Sequence, residues 1–225
     1  MKKYIINDPF PTWYYTPCMI NWKKTERNKI EDKAYLTNTI NASILTDLTS
    51  YVEGIVSEMI LEIIWVRDFK DEKNKQYLDN ITRYLDEKVL KSSWRETVSL
   101  LEMITNKKSS DLINGDILKA ISYLFTFRNL LTHGVEIDIN YFEANGNIVV
   151  EGQDKYDSVL KYLLEKNLLN TSFAPNINTI NILSDATIDH FTTMTFKYIE
   201  QLFQMVGEFE LDGLKTNFEE SIQMT

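Results

Sequence analysis

Apolar residues recur at steps of three and four along most of the chain, the period of helices with one buried face. Ile44, Leu48, Tyr51, Ile55, Met59 and Ile63 follow that spacing and predict a long helix from about Asn41 to Val66. Tyr77, Leu78, Ile81, Tyr84 and Leu85 predict a second from about Asn74 to Leu90. Ser92 or Ser93 caps a third, with Trp94, Val98, Leu101 and Ile104 on one side. Asp116 is read as the cap of a fourth, running to about Thr132, with Gly134 where a left-handed terminal residue belongs. The period then changes. Val135, Ile137, Ile139 and Tyr141 alternate with Glu136, Asp138 and Asn140, Asn145-Gly146 is a two-residue turn signal, and Ile148-Val149-Val150 returns, so a hairpin is expected over about 135–151. Helical spacing resumes at Tyr156, Val159, Leu160, Leu163 and Leu164. After an Asn- and Thr-rich loop containing Pro175, Ser184 or Asp185 caps a last long helix carrying Ile188, Phe191, Thr195, Tyr198, Leu202 and Met205 and closed by Gly207.

The expected fold class is therefore all-α, a helical bundle with one small β-hairpin inserted after the fourth helix. Residues 1–39 read as an arm and lead-in. Pro9, Pro11 and Pro17 stand there among Trp13, Tyr14, Tyr15 and Trp22, which predicts irregular backbone with the rings laid on the body. Residues 40–206 read as a single domain, and 207–225 as a mostly polar, loosely packed tail.

Composition narrows the chemistry. The 225 residues suffice for one full core. A net charge of −9 argues against a broad basic face for nucleic acid. Cys18, alone, forms no intramolecular disulfide, and His133 and His190 lack the carboxylate spacing of a zinc site, so no metal and no cofactor are expected. Pro9 interrupts the N-terminus before any signal-peptide core, and Glu58 and Glu62 interrupt the most apolar stretch, so a cytoplasmic protein without a membrane partner is expected.

On a wheel of the fourth helix, Ile117, Ala120, Ile121, Leu124, Phe127 and Leu131 share a broad arc, with Tyr123 and Leu130 on its flank. Lys119, Ser122, Thr126, Asn129 and His133 form a polar strip opposite. So much apolar circumference points to burial between the helix's own core and a second copy. Arg128 is the misfit within the arc: it pairs with a carboxylate, for which Glu96 and Glu102 are candidates, reaches out along its stem, or is held for use. His133, at the helix C-terminus, reads equally as a terminal cap favoured by the dipole or as an acid–base group near neutrality. His190 reads as a surface or packed residue. Lys107-Lys108 and the run Lys23, Lys24, Arg27, Lys29 read as solvated faces, with guidance of RNA as the alternative.

The string Arg128-Asn129-Leu130-Leu131-Thr132-His133-Gly134 resembles the Arg-Asn-x-x-x-His-Gly signature of the HEPN superfamily, found in ribonucleases of prokaryotic toxin–antitoxin, abortive-infection and CRISPR systems. The hairpin, the Tyr- and Leu-rich stretch from Tyr156 to Leu169, and the long last helix add to the resemblance, which spans about residues 40–206. It implies a metal-independent RNA endonuclease, a toxin or anti-phage effector, in which the ribose 2′-hydroxyl attacks the adjacent phosphorus. His133 would move the proton, Arg128 would grip phosphate oxygens, and Asn129 would orient imidazole or phosphate. The products implied are a 2′,3′-cyclic phosphate and a 5′-hydroxyl. It also implies a homodimer through about residues 116–134, with two Arg and two His in a composite cleft, and an antitoxin or regulatory protein as a further partner. Some toxin members carry a tyrosine two residues after the histidine that their antitoxin modifies with AMP; here Val135 stands there, and Tyr141 is the nearest downstream tyrosine. The alternatives are a catalytically inactive HEPN module that dimerises and binds a protein or nucleotide, and an unrelated monomeric scaffold with Arg128 in an internal salt bridge.

Overall fold

The computed structural model describes residues 12–30, 34–68, 93–133, 139–144, 147–152, 154–168, 182–209 and 211–223. A 3₁₀ turn at Thr12–Tyr15 leads into α1, Thr16–Arg27, where the prolines predict irregular backbone. Pro17 is compatible with the helix because it stands in the first turn, where its missing N–H would have had no intrahelical acceptor. Helix α2, Ala34–Asp68, is one unbroken helix of 35 residues that begins seven before the expected Asn41. The helix expected at 74–90 lies outside the described residues.

Ser93 caps α3, Trp94–Thr105, in a reciprocal capping box with Glu96, and Asn106 ends the helix in the left-handed region at φ 52°. A short helix α4, Ser109–Leu112, precedes α5, Gly115–His133. The cap of α5 is Asn114 and not Asp116: its Oδ1 accepts from the Asp116 N–H at 2.8 Å, and its carbonyl accepts from Ile117 and Leu118. Asp116 falls inside the first turn, where a carboxylate is favoured by the dipole but has no capping geometry. Gly134 and Val135 lie outside the described residues.

Strands β1, Ile139–Ala144, and β2, Asn147–Gly152, pair antiparallel with Ala144 opposite Asn147 and Ile139 opposite Gly152. The expected turn residues 145–146 lie outside the described residues, as does the loop around Pro175. Helix α6, Asp154–Glu165, follows, and then α7, Asp185–Met205, whose cap is Ser184, accepting from the Thr187 N–H at 3.1 Å. The segment read as a polar tail instead forms a 3₁₀ turn at Gly207–Phe209 and α8, Asp212–Gln223. Leu211, Leu214, Phe218 and Ser221, three or four residues apart, are all buried, a stripe too sparse to stand out among the charges around it. The described residues hold eight α-helices and this one hairpin, an all-α architecture.

The chain divides into two compact units: Met1–Trp22 with Ser50–Lys107 and Val206–Thr225, and Lys23–Thr49 with Lys108–Met205. In the first, Trp13 and Tyr14 are buried, as the sequence places them, whereas Tyr15 and Trp22, also expected on the body, are exposed. The Trp13 ring lies 6.1 Å from that of Tyr51, and Gly54 lets it approach so closely that an added Cβ would meet the Trp13 Cβ at 3.0 Å. Tyr51 stacks on Phe218 and shares a hydrogen bond with the Ser221 hydroxyl, fastening α8 into this core. The second unit is built on α5 and α7, with Phe127 against Phe191 edge to face at 6.4 Å. Among the described residues no helix is long and apolar enough to cross a membrane.

Candidate functional site

Along α5, Ile117, Ala120, Ile121, Leu124, Phe125, Phe127 and Leu130 are buried, while Asp116, Lys119, Ser122, Asn129 and Thr132 are exposed. Most of the apolar arc is thus covered within a single chain, with Leu131 and the flanking Tyr123 half-buried. Of the polar strip, Lys119, Ser122 and Asn129 are exposed and Thr126 is half-buried.

Arg128 is half-buried, with its guanidinium carbon 5.5 Å from the centroid of the Phe125 ring, one turn earlier on the helix. A guanidinium over an aromatic face gains cation–π attraction, which lets an arginine occupy an otherwise apolar stripe. On α3, Glu96 accepts from the Ser93 N–H at 2.7 Å and the Ser93 hydroxyl at 2.8 Å. Asn129 is exposed on the polar strip. His133 is the last residue of α5, and its side chain lies outside the described residues. The Thr132 hydroxyl donates back to the carbonyls of Arg128 at 3.0 Å and Asn129 at 3.2 Å, engaging acceptors near the helix end. Because α5 stays helical through residue 133, positions 128 and 133 are offset by about 140° around the axis and about 7.5 Å along it.

The basic run of α1 is tied down. Lys23 pairs with Asp47, Lys24 with Asp189 at 2.7 Å, and Lys29 with Glu26 at 2.6 Å. Arg27 is only 6% exposed; it bonds Asp185 at 3.2 Å and the Asn41 side chain at 3.1 Å. Asn41, fully buried, donates in turn to the Leu183 carbonyl at 2.7 Å. These residues join α1, α2 and the start of α7, so Arg27 is a buried structural residue and not part of a solvated face. Lys107 likewise pairs with Glu208 at 3.3 Å.

One constellation escaped the sequence. The Tyr162 hydroxyl, on α6, lies 2.6 Å from His190 Nε2, on α7. Tyr162 is almost wholly buried, and burial, reinforced by the charge of Asp116, pushes its phenol up to about 12. Burial, followed by the charges of Lys166 and Lys197, holds the His190 imidazole below its ordinary value. The phenol and the imidazole thus share a hydrogen bond whose donor is set by the imidazole tautomer. The only hint along the chain was spacing, Tyr162 before Lys166 and Lys119 before Tyr123, and partners from three helices cannot be read from spacing.

Among the described residues no group of three His, Cys, Asp or Glu could hold a metal ion. Compared with protein-family models, curated proteins and solved structures, the chain matches none.

Proposed function

We propose that this protein is a HEPN-type RNA endonuclease that works as a homodimer, cutting RNA by attack of the 2′-hydroxyl without a metal ion. The reading rests on one observation: Arg128, Asn129 and His133 of the Arg-Asn-x-x-x-His-Gly string close a capped helix with a broad buried apolar face, in a unit made of helices and one hairpin, with Asn129 on its exposed strip. The chemistry needs a base at the attacking oxygen, an acid at the leaving oxygen and a cation for the phosphorane. One chain offers a single motif histidine, and the offset of about 140° between positions 128 and 133 keeps one helix from aiming both groups at one phosphate. A two-fold partner with its own α5 supplies the second histidine and arginine. The requirement for a dimer comes from this chemistry and not from uncovered apolar surface.

A toxin or anti-phage role, restrained by an antitoxin or regulatory protein, follows from the same resemblance. The test is incubation of the full chain with total RNA in EDTA, beside His133→Ala and Arg128→Ala variants, with the dimer followed by light scattering. Cleavage leaving cyclic phosphate ends, lost in both variants while the dimer persists, is the expected result. Intact RNA with an intact dimer favours the inactive partner-binding module. A monomer that leaves RNA intact favours the plain scaffold.

A further inference from the structure

The Tyr162–His190 pair lies beneath two ammonium groups. Lys119 Nζ is 5.8 Å and Lys166 Nζ 5.9 Å from the centroid of the same Tyr162 ring, and Lys119 is also 6.0 Å from the ring of Tyr123. The two tyrosine rings are 4.7 Å apart. Two cations share one aromatic platform, beside a histidine whose charged form Lys166 and Lys197 disfavour, in a chain of net charge −9.

The groups facing this platform are Asp116 and Lys119 from α5, Glu165 and Lys166 from the end of α6, and Asp189, His190 and Lys197 from α7. Asp189 is engaged by Lys24. Each platform ammonium is balanced by one carboxylate: Lys119 by Glu165 at 3.3 Å and Lys166 by Asp116 at 3.4 Å, both carboxylates more than 60% exposed. Exposed pairs of this length are weak and exchange readily for a better anion. A phosphate group, with more oxygens and a denser charge, can accept from both ammoniums at once.

We propose that Lys119 and Lys166 form a phosphate-holding site above the Tyr162–His190 pair, a site apart from the motif. Its occupant is a phosphate group, either of a nucleic-acid backbone or of a free nucleotide. The backbone source rests on the nuclease reading. On an ideal helix, position 133 lies about 21 Å along α5 from Lys119 and about 40° around it, so one strand laid on the polar strip would pass both.

The chain has two histidines, so in a His133→Ala background the single remaining imidazole signal reports on His190 alone. Its titration is followed by NMR with inorganic phosphate, with AMP, and with a short oligodeoxynucleotide that lacks the 2′-hydroxyl and cannot be cleaved. Bound phosphate offsets the repulsion by the lysines, so the midpoint is expected to rise by about 1 pH unit. The rise should vanish in Lys119→Gln/Lys166→Gln and return in Lys119→Arg/Lys166→Arg. A larger effect with the oligonucleotide identifies the backbone as the source, and a larger effect with AMP the free nucleotide. No rise with any of the three, or an equal rise in the glutamine variant, overturns the site. RNA left uncut by the parent chain with the rise intact would instead overturn the nuclease reading alone.

Discussion

At the end of α5, Arg128, Asn129 and His133 come from six consecutive residues of one helix, whereas the cluster around Tyr162 draws on α5, α6 and α7. The first is written in chain order and visible as a string. The second exists only once three helices pack, and none of its residues is distinctive alone. They also differ in how polarity is handled. The motif end presents Asn129 to solvent and rests Arg128 on a ring. The cluster seals a phenol and lets a half-buried imidazole absorb the consequence through its proton affinity.

The largest effect that would break the contrast is kinetic. His133→Ala should lower RNA cleavage by about 10³-fold, within the range for loss of a general acid or base, while His190→Ala should leave it within about twofold at saturating RNA. Equal losses would mean that both histidines touch the reacting atoms. Next comes packing. Phe127 lies one residue before Arg128, and its ring abuts Phe191, the neighbour of His190, so both regions lean on it. Phe127→Ala should cost about 3–5 kcal/mol in denaturant unfolding, and a loss under 1 kcal/mol would show that the α5–α7 contact is not core. A smaller change is expected from Tyr162→Phe, which removes one hydrogen bond shared with the half-buried His190 and should cost about 1 kcal/mol.

The smallest effect is a pH dependence. His190 binds its proton less readily folded than unfolded, so the unfolded chain takes up more protons as pH falls through the ordinary histidine value near 6.5. Stability is therefore fully present above that value and declines below it. His190→Gln should flatten this decline in melting curves taken between pH 7.5 and 5. An unchanged slope would show that another group sets it.

Much of the helical plan was legible because apolar spacing is local: α2, α3, α5, α6 and α7 all appear near their expected places. What failed did so for identifiable reasons. Asp116 and Asn114 are both good cap residues two positions apart, and only hydrogen-bond geometry separates them. Pro17 signals irregularity unless it falls in a first turn, as it does here. The buried stripe of α8 is three side chains wide and depends on Tyr51, far away in the chain, to receive it. At the candidate site, chain order announced Arg128, Asn129 and His133, but not that Phe125 would support the arginine. The fate of the basic run was equally hidden, since Asp47, Asp185 and Asp189 reach Lys23, Arg27 and Lys24 only through the fold.

Those ion pairs on α1 set how this protein would respond to salt. Affinity for nucleic acid falls with salt in proportion to the counterions that protein cations displace. Lys23 and Arg27, the most covered cations of that run, already have carboxylates as their counterions within the fold and are expected to displace few from RNA. If only Arg128, Lys119 and Lys166 meet phosphates, each chain displaces about three, and log K should fall against log salt with a slope of about −2 for a single strand. Ionic strength would then govern this protein's grip on RNA only mildly, leaving selectivity to the shape of the strand rather than to its charge.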